Sequence, residues 1–207
     1  MSLRIFVPRD AGAVAVGAEE TVAALQKAAA ERKTAIEIVR TGSRGLYWLE
    51  PMVEVVTPNG RVAFGPVTAT DAPSVLDAMA ADGPHALRLG VADEIPWLKR
   101  QTRLTFARCG VIDPRSVADY RAHDGYKGLE RALTLTSDEI LADVTASGLR
   151  GRGGAGFPTG IKWKTVAQTS ADRKYIVCNA DEGDSGTFAD RMIMERSEEH
   201  TSELQSP

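Results

Sequence analysis

Cysteine is nearly missing from this 207-residue chain, which has two, Cys109 and Cys178, and no Cys-x-x-Cys pair. An iron–sulfur cluster takes about four thiolates, so these residues cannot ligate one alone. Residues 1–108 contain no cysteine, which excludes dithiol redox chemistry there. The three histidines, His85, His123 and His200, are scattered and show no metal-ligand spacing. No Ser-His or Cys-His arrangement suggests an activated nucleophile. No apolar run approaches the roughly 20 residues of a membrane-spanning helix. A basic excess is missing too: the net charge of −3 argues against a nucleic-acid surface. The opening Met1-Ser2-Leu3-Arg4-Ile5-Phe6-Val7 reads as a strand rather than a signal peptide, so a cytoplasmic location is expected. With 43% hydrophobic and 26% charged residues, the chain has the composition of a globular protein.

Periodicity divides what is there. Residues 4–7 and 35–39 read as strands and 19–32 as a helix with Val22, Leu25 and Ala29 on one face. Residues 52–57 and 61–65 flank Pro58-Asn59-Gly60, a hairpin signal. A second helix is predicted over 72–81, capped by Thr70 or Asp71, with Pro73 in its first turn. The order β-α-β-β-β-α suits either a thioredoxin-like α/β layer or a small ferredoxin-like sheet. Gly83-Pro84, Gly90 and Pro96 mark residues 82–100 as connector. Helices are expected over 114–121, 127–133 and 137–147, the last with Ser137 as N-cap and Leu141 and Val144 facing inward. After a loop over 150–160 come a helix over 159–168, an apolar strand over 174–179 that buries Cys178, and a helix over 187–195.

The chemistry concentrates in two loops. Five glycines between Gly151 and Gly160 leave the backbone almost free of Cβ atoms, so its N–H groups can approach a phosphate or a flat ring. Lys162 adds a cation at the loop's end, and Asn179, Asp181 and Glu182 supply acceptors suited to ribityl or ribose hydroxyls. A P-loop is excluded because no Gly-Lys-Ser/Thr closes the run. The dinucleotide fingerprint fits poorly, since Phe157-Pro158 follows Gly156. An Arg-Gly nucleic-acid segment would be repetitive, and this one occurs once. A tight surface turn remains open.

Gly148-Leu149-Arg150-Gly151-Arg152-Gly153-Gly154-Ala155-Gly156-Phe157-Pro158-Thr159-Gly160, Lys162-Trp163 and then Cys178-Asn179-Ala180-Asp181-Glu182-Gly183 resemble a known signature. It is that of the flavoprotein subunits that include the NADH-oxidising subunit of complex I, hydrogenase diaphorases and the beta subunit of NAD-dependent formate dehydrogenase. Arg108-Cys109-Gly110-Val111-Ile112-Asp113-Pro114 and Asp124-Gly125-Tyr126-Lys127-Gly128-Leu129 fit as well. The resemblance implies an α/β protein with a cluster-free thioredoxin-like domain over 1–82, a helical connector over 83–147 and the start of a Rossmann-like FMN- and NADH-binding domain over 148–195. It implies that Gly151, Arg152, Gly153, Gly154 and Gly156 cradle FMN with Lys162 beside them, and that Asn179, Asp181 and Glu182 bind the flavin. Phe157 would stack on NADH. Asp184 stands where a Glu usually helps hold the nucleotide, a departure that points toward formate dehydrogenase. No catalytic side chain and no metal ligand are implied. A [4Fe–4S] cluster is expected only in a later region, and the expected partners are NAD(H), an iron–sulfur gamma subunit and a molybdopterin alpha subunit. An interaction module without catalysis is the contrasting reading.

Arg196-Ser197-Glu198-Glu199-His200-Thr201-Ser202-Glu203-Leu204-Gln205-Ser206 back-translates, codon by codon, into a common short-read sequencing adapter, and Pro207 fits the adapter's next base. Residues 196–207 are therefore expected to be an adapter-derived tail on a carboxy-terminally truncated flavoprotein segment.

Overall fold

The computed structural model describes residues 2–152, 154–179, 181–183, 186, 187 and 190. The chain forms two compact units: Met1–His123 together with the described residues from Asn179 onward, and Asp124–Cys178.

The first unit is built on five strands, β1 (Leu3–Pro8), β2 (Ile36–Thr41), β3 (Val53–Thr57), β4 (Gly60–Phe64) and β5 (Arg88–Val91), in the order β2-β1-β3-β4-β5. β1 and β2 run parallel, in register from Leu3↔Ile36 to Pro8↔Thr41; the other pairings are antiparallel. A parallel pair needs a crossover, and here it is made by α1 (Ala11–Ala15) and α2 (Ala18–Arg32). β3 and β4 form the expected hairpin: Thr57 pairs with Gly60, whose carbonyl accepts the Thr57 Oγ1 hydroxyl at 2.8 Å. α3 (Ala72–Ala81) follows, starting after Asp71. The mixed sheet with its βαβ crossover and βββ-side helix is the thioredoxin-like arrangement, and the ferredoxin-like alternative falls away.

One sheet face is apolar in the usual way. Ile5, Val7, Val53, Val55, Val62 and Phe64 meet Val22, Leu25, Val75 and Leu76 of α2 and α3. The opposite face is different. Phe6, Glu54 and Ala63 lie in one cross-strand row, all buried, because Phe6 pairs with Glu54 and Glu54 with Ala63. Arg44 forks onto Glu54, Nε to Oε1 at 2.6 Å and Nη2 to Oε2 at 2.9 Å. Its Nη1 reaches Asp93 at 2.9 Å. Burial works against the Arg44 charge, yet the hydrogen bond and charge of Glu54, with Asp93, outweigh it and hold its pKa above the ordinary value. Arg61 lies with its guanidinium carbon 3.4 Å from the Phe6 ring centroid and donates to the Val111 carbonyl at 2.7 Å. Burial, reinforced by the Arg44 charge, pulls the Arg61 pKa down despite Glu54.

That polar face is roofed by the segment carrying Cys109 and Ile112, both buried. Arg103 Nη2 donates to the Arg44 carbonyl at 2.7 Å, and a Cβ on Gly110 would stand 2.4 Å from Arg44 Cγ. α4 (Pro96–Lys99) and α5 (Val117–Ala122) complete the unit, with the Ser116 hydroxyl accepting from the Asp119 N–H at 3.1 Å.

The second unit contains α6 (Lys127–Ala132), α7 (Ser137–Ala146) and α8 (Thr159–Gln168).

Four expectations need correction. Residues 82–100 are more than connector, since Arg88–Val91 form β5 and pair with β4; the strand is short and contains Gly90, so its propensity is weak. Thr136, not Ser137, caps α7 through a reciprocal box with Glu139, which satisfies two terminal N–H groups at once. Residues 174–179 form no strand among the described residues: Ile176 and Val177 are 53% and 82% exposed, and an apolar run without a neighbouring strand has nothing to pair with. Cys178 is accordingly exposed rather than buried. The helix expected over 187–195 and the tail over 196–207 lie almost wholly outside the described residues.

Removing one partner of a buried ion pair strands the other. Glu54→Ala should cost about 3–5 kcal/mol in urea unfolding, and Glu54→Gln, which keeps the shape and one acceptor, clearly less. Equal stability of Glu54→Ala and the parent chain would show that Arg44 escapes to water.

Candidate functional site

The glycine loop in the second unit is closed at its base. α7 ends at Ala146, and Gly148 takes φ +65° to turn the chain out of the helix. Gly151 N–H donates to the Phe157 carbonyl and Thr159 N–H to the Leu149 carbonyl, both at 2.9 Å. Arg150 and Pro158 form an antiparallel bridge across the same base. Arg150 Nη1 adds a hydrogen bond to the Gly156 carbonyl at 2.9 Å. The loop is therefore a pinched hairpin that delivers the chain into α8.

Its tip is open. Gly154 and Gly156 adopt φ +98° and +60°, a region that only glycine enters cheaply, and a Cβ on either would meet open space. Among the described residues, the N–H groups of Arg152, Gly154, Ala155 and Gly156 have no backbone acceptor. Arg152 is exposed and makes no ion pair with a described residue. Phe157 is 45% exposed, and Lys162 Nζ lies 5.6 Å from its ring centroid, within cation–π range. The structure thus places Gly151, Arg152, Gly154, Gly156, Phe157 and Lys162 around one loop. Gly153 lies outside the described residues.

The acidic loop belongs to the first unit. Asn179 Oδ1 accepts the Asp181 N–H at 3.1 Å, an Asx turn, and Glu182, at φ +50°, accepts the Asp190 N–H at 2.9 Å. Asp184 lies outside the described residues. No cluster of three or more potential metal ligands occurs among the described residues.

Arg150, which the sequence reading leaves out of the candidate site, reaches back across the loop. Gly160, one of the five glycines of the run but outside the expected cradle, is buried against α7: a Cβ there would lie 2.7 Å from Thr145 Oγ1 and 2.8 Å from Thr145 Cα. Its lack of a side chain lets α7 and α8 touch.

What this arrangement can do is present backbone donors and cations to an anionic or planar ligand. Residues 144–202 match the complex I 51K family model at its Nuo51 FMN-binding domain. The chain is 56% identical over 97 residues to the NADP-reducing hydrogenase subunit HndC of Solidesulfovibrio fructosivorans, covering 47% of this chain and 20% of that one. It is 47% identical over 104 residues to an NADH-quinone oxidoreductase subunit of Aquifex aeolicus, covering 49% and 24%. The chain thus spans about a fifth to a quarter of the length of these relatives. A thioredoxin-like [2Fe–2S] ferredoxin structure from Aquifex aeolicus aligns at TM-score 0.39 and 19% identity, covering 46% of this chain and 96% of that one. No helix among the described residues is long and apolar enough to cross a membrane.

Gly160→Ala should separate α7 from α8 and destabilise the second unit by about 1–3 kcal/mol, the usual range for overpacking. Thr145→Ala removes Oγ1 but leaves Cα, so it should rescue only part of the loss in thermal melts. Full rescue would place the conflict at the hydroxyl alone.

Proposed function

We propose that this chain carries part of an electron-transfer flavoprotein subunit that exchanges hydride between NAD(H) and FMN, in an NADH:quinone oxidoreductase or NAD-linked hydrogenase. The observation that supports this most is the open tip of the glycine loop, whose N–H groups have no backbone acceptor among the described residues and whose exit carries a lysine, inside the segment that matches the Nuo51 FMN-binding domain. The residues fit a flavin: the space over Gly154 and Gly156 is space a Cβ would fill, and the donors suit a phosphate or a ring edge. Bound FMN supplies the hydride chemistry and the step from electron pairs to single electrons. The chain's own part is to bind, orient and keep the pocket's charge. In this reading Gly151, Arg152, Gly153, Gly154 and Gly156 line the flavin, and Lys162 neutralises its phosphate. Asn179, Asp181 and Glu182 take its hydroxyls, while Phe157 and Asp184 serve NADH.

Formate as electron source rests on Asp184 and on the cysteine-free first 108 residues. The named relatives are hydrogenase and NADH-quinone oxidoreductase subunits, which favours those two classes over formate. Iron–sulfur-bearing subunits are the proposed electron partners in either case, and a cytoplasmic location is proposed with them. A pure interaction module would carry no flavin absorbance in the purified full-length protein.

Lys162→Ala in the full-length protein should weaken FMN binding by about 10- to 150-fold, the worth of a charge-assisted hydrogen bond. Unchanged flavin content would remove Lys162 from the site. Phe157→Ala should raise the Michaelis constant for NADH while FMN stays bound; loss of FMN with general unfolding would instead make Phe157 a packing residue.

A further inference from the structure

We infer that Arg150 is a positioning residue that braces the glycine loop in the shape that leaves its tip N–H groups open to a ligand. The proposal rests on the flavin reading only for the identity of that ligand.

Two backbone hydrogen bonds pin the loop's base, Gly151 N–H to the Phe157 carbonyl and Thr159 N–H to the Leu149 carbonyl, and together they make the Arg150–Pro158 bridge. Neither of them holds the tip. Gly156 sits at φ +60°, where an added Cβ would meet nothing within 4 Å, and a free glycine populates many other conformations. The one side chain that holds it, among the described residues, is Arg150, whose Nη1 ties the Gly156 carbonyl at 2.9 Å. Holding that carbonyl on the arginine side fixes the peptide plane that follows it, which leads into Phe157. The same guanidinium is occupied by the loop's own backbone, while Arg152 on the loop itself makes no such contact. The two arginines of the motif thus have different work: Arg152 is available to a ligand, and Arg150 shapes the loop. A preorganised loop loses less conformational entropy on binding, so the brace raises affinity without touching the ligand.

The test uses the full-length protein and the variants Arg150→Met and Arg150→Lys. Amide exchange of the loop is followed without flavin, and affinities for FMN and for riboflavin are read from flavin fluorescence. Arg150→Met should speed exchange at Gly151 and Thr159 about fivefold, the loss of one hydrogen bond of ordinary strength. It should weaken FMN and riboflavin by the same factor, because the brace does not see the phosphate. Arg150→Lys, with one reachable donor but no planar fork, should recover part of both effects. Unchanged exchange overturns the brace, and a loss confined to FMN overturns it too, by making Arg150 a phosphate ligand. If Arg150→Met melts near room temperature, the Lys variant decides alone: intermediate exchange supports the brace and parental exchange overturns it. A parent protein that binds neither flavin overturns the proposed function, and the exchange data then decide the brace by themselves.

Discussion

The buried fork between Arg44 and Glu54 is the joint on which the first unit depends. Glu54 stands on β3 at the middle of the sheet, on the face opposite α2 and α3, where its neighbour Ala63 packs with Leu98 of α4. A carboxylate there is tolerable only because a guanidinium meets both of its oxygens and Arg61 stands 3.7 Å away. The pair in turn fixes the loop after β2, from which Arg44 projects, and the turn after β5, which supplies Asp93. Through the Arg44 carbonyl and the Gly110 approach it also seats the segment that buries Cys109 and Ile112. A hydrophobic replacement of the pair could match its stability, but it would not specify which of these three segments goes where.

Much of this unit was legible in the sequence, and the exceptions share a cause. The β1, β2 and hairpin strands, α2 and α3 follow from period and punctuation, and in the second unit α8 falls on residues 159–168 as expected. Yet the alternation Val53-Glu54-Val55 reads as a half-solvated strand, with Glu54 facing water. Local pattern cannot reveal that Arg44, Arg61 and the segment around Gly110 converge on that face, because each comes from a distant part of the chain. β5 was hidden by its glycine and the prolines around it, and became a strand through pairing with β4. The reverse error occurred at 174–179, where strong β propensity met no partner. Propensity proposes a strand, and pairing makes it one.

The site was legible as a motif and illegible as a division of labour. Counting glycines between Gly151 and Gly160 does not say what each of them does. The structure separates them into turn-forming positions at Gly154 and Gly156 and a close-packing position at Gly160, where the neighbour is Thr145 of α7. No spacing rule distinguishes a glycine that makes room for a ligand from one that makes room for a helix. The capping box of Thr136 and Glu139, where the sequence reading puts the cap at Ser137, anchors the start of the helix against which Gly160 packs.

A tight surface turn and a phosphate cradle can share the same composition, and a cradle further requires N–H groups that are not closed on the loop's own carbonyls. At an exposed tip such donors are held by water until a ligand replaces it. Here the base donors Gly151 and Thr159 are closed on loop carbonyls, whereas those of Arg152, Gly154, Ala155 and Gly156 have no backbone acceptor among the described residues. The acidic loop behaves in the opposite way, turning Asn179 and Glu182 onto the N–H groups of Asp181 and Asp190. One loop thus satisfies its own backbone with side chains, and the other uses side chains to keep its backbone available. Cations at Arg152 and Lys162 beside that second loop raise the local preference for an anion without consuming the donors. An anionic, planar, phosphate-bearing ligand is what such a loop would hold most economically, and that is the physical content of the flavin reading.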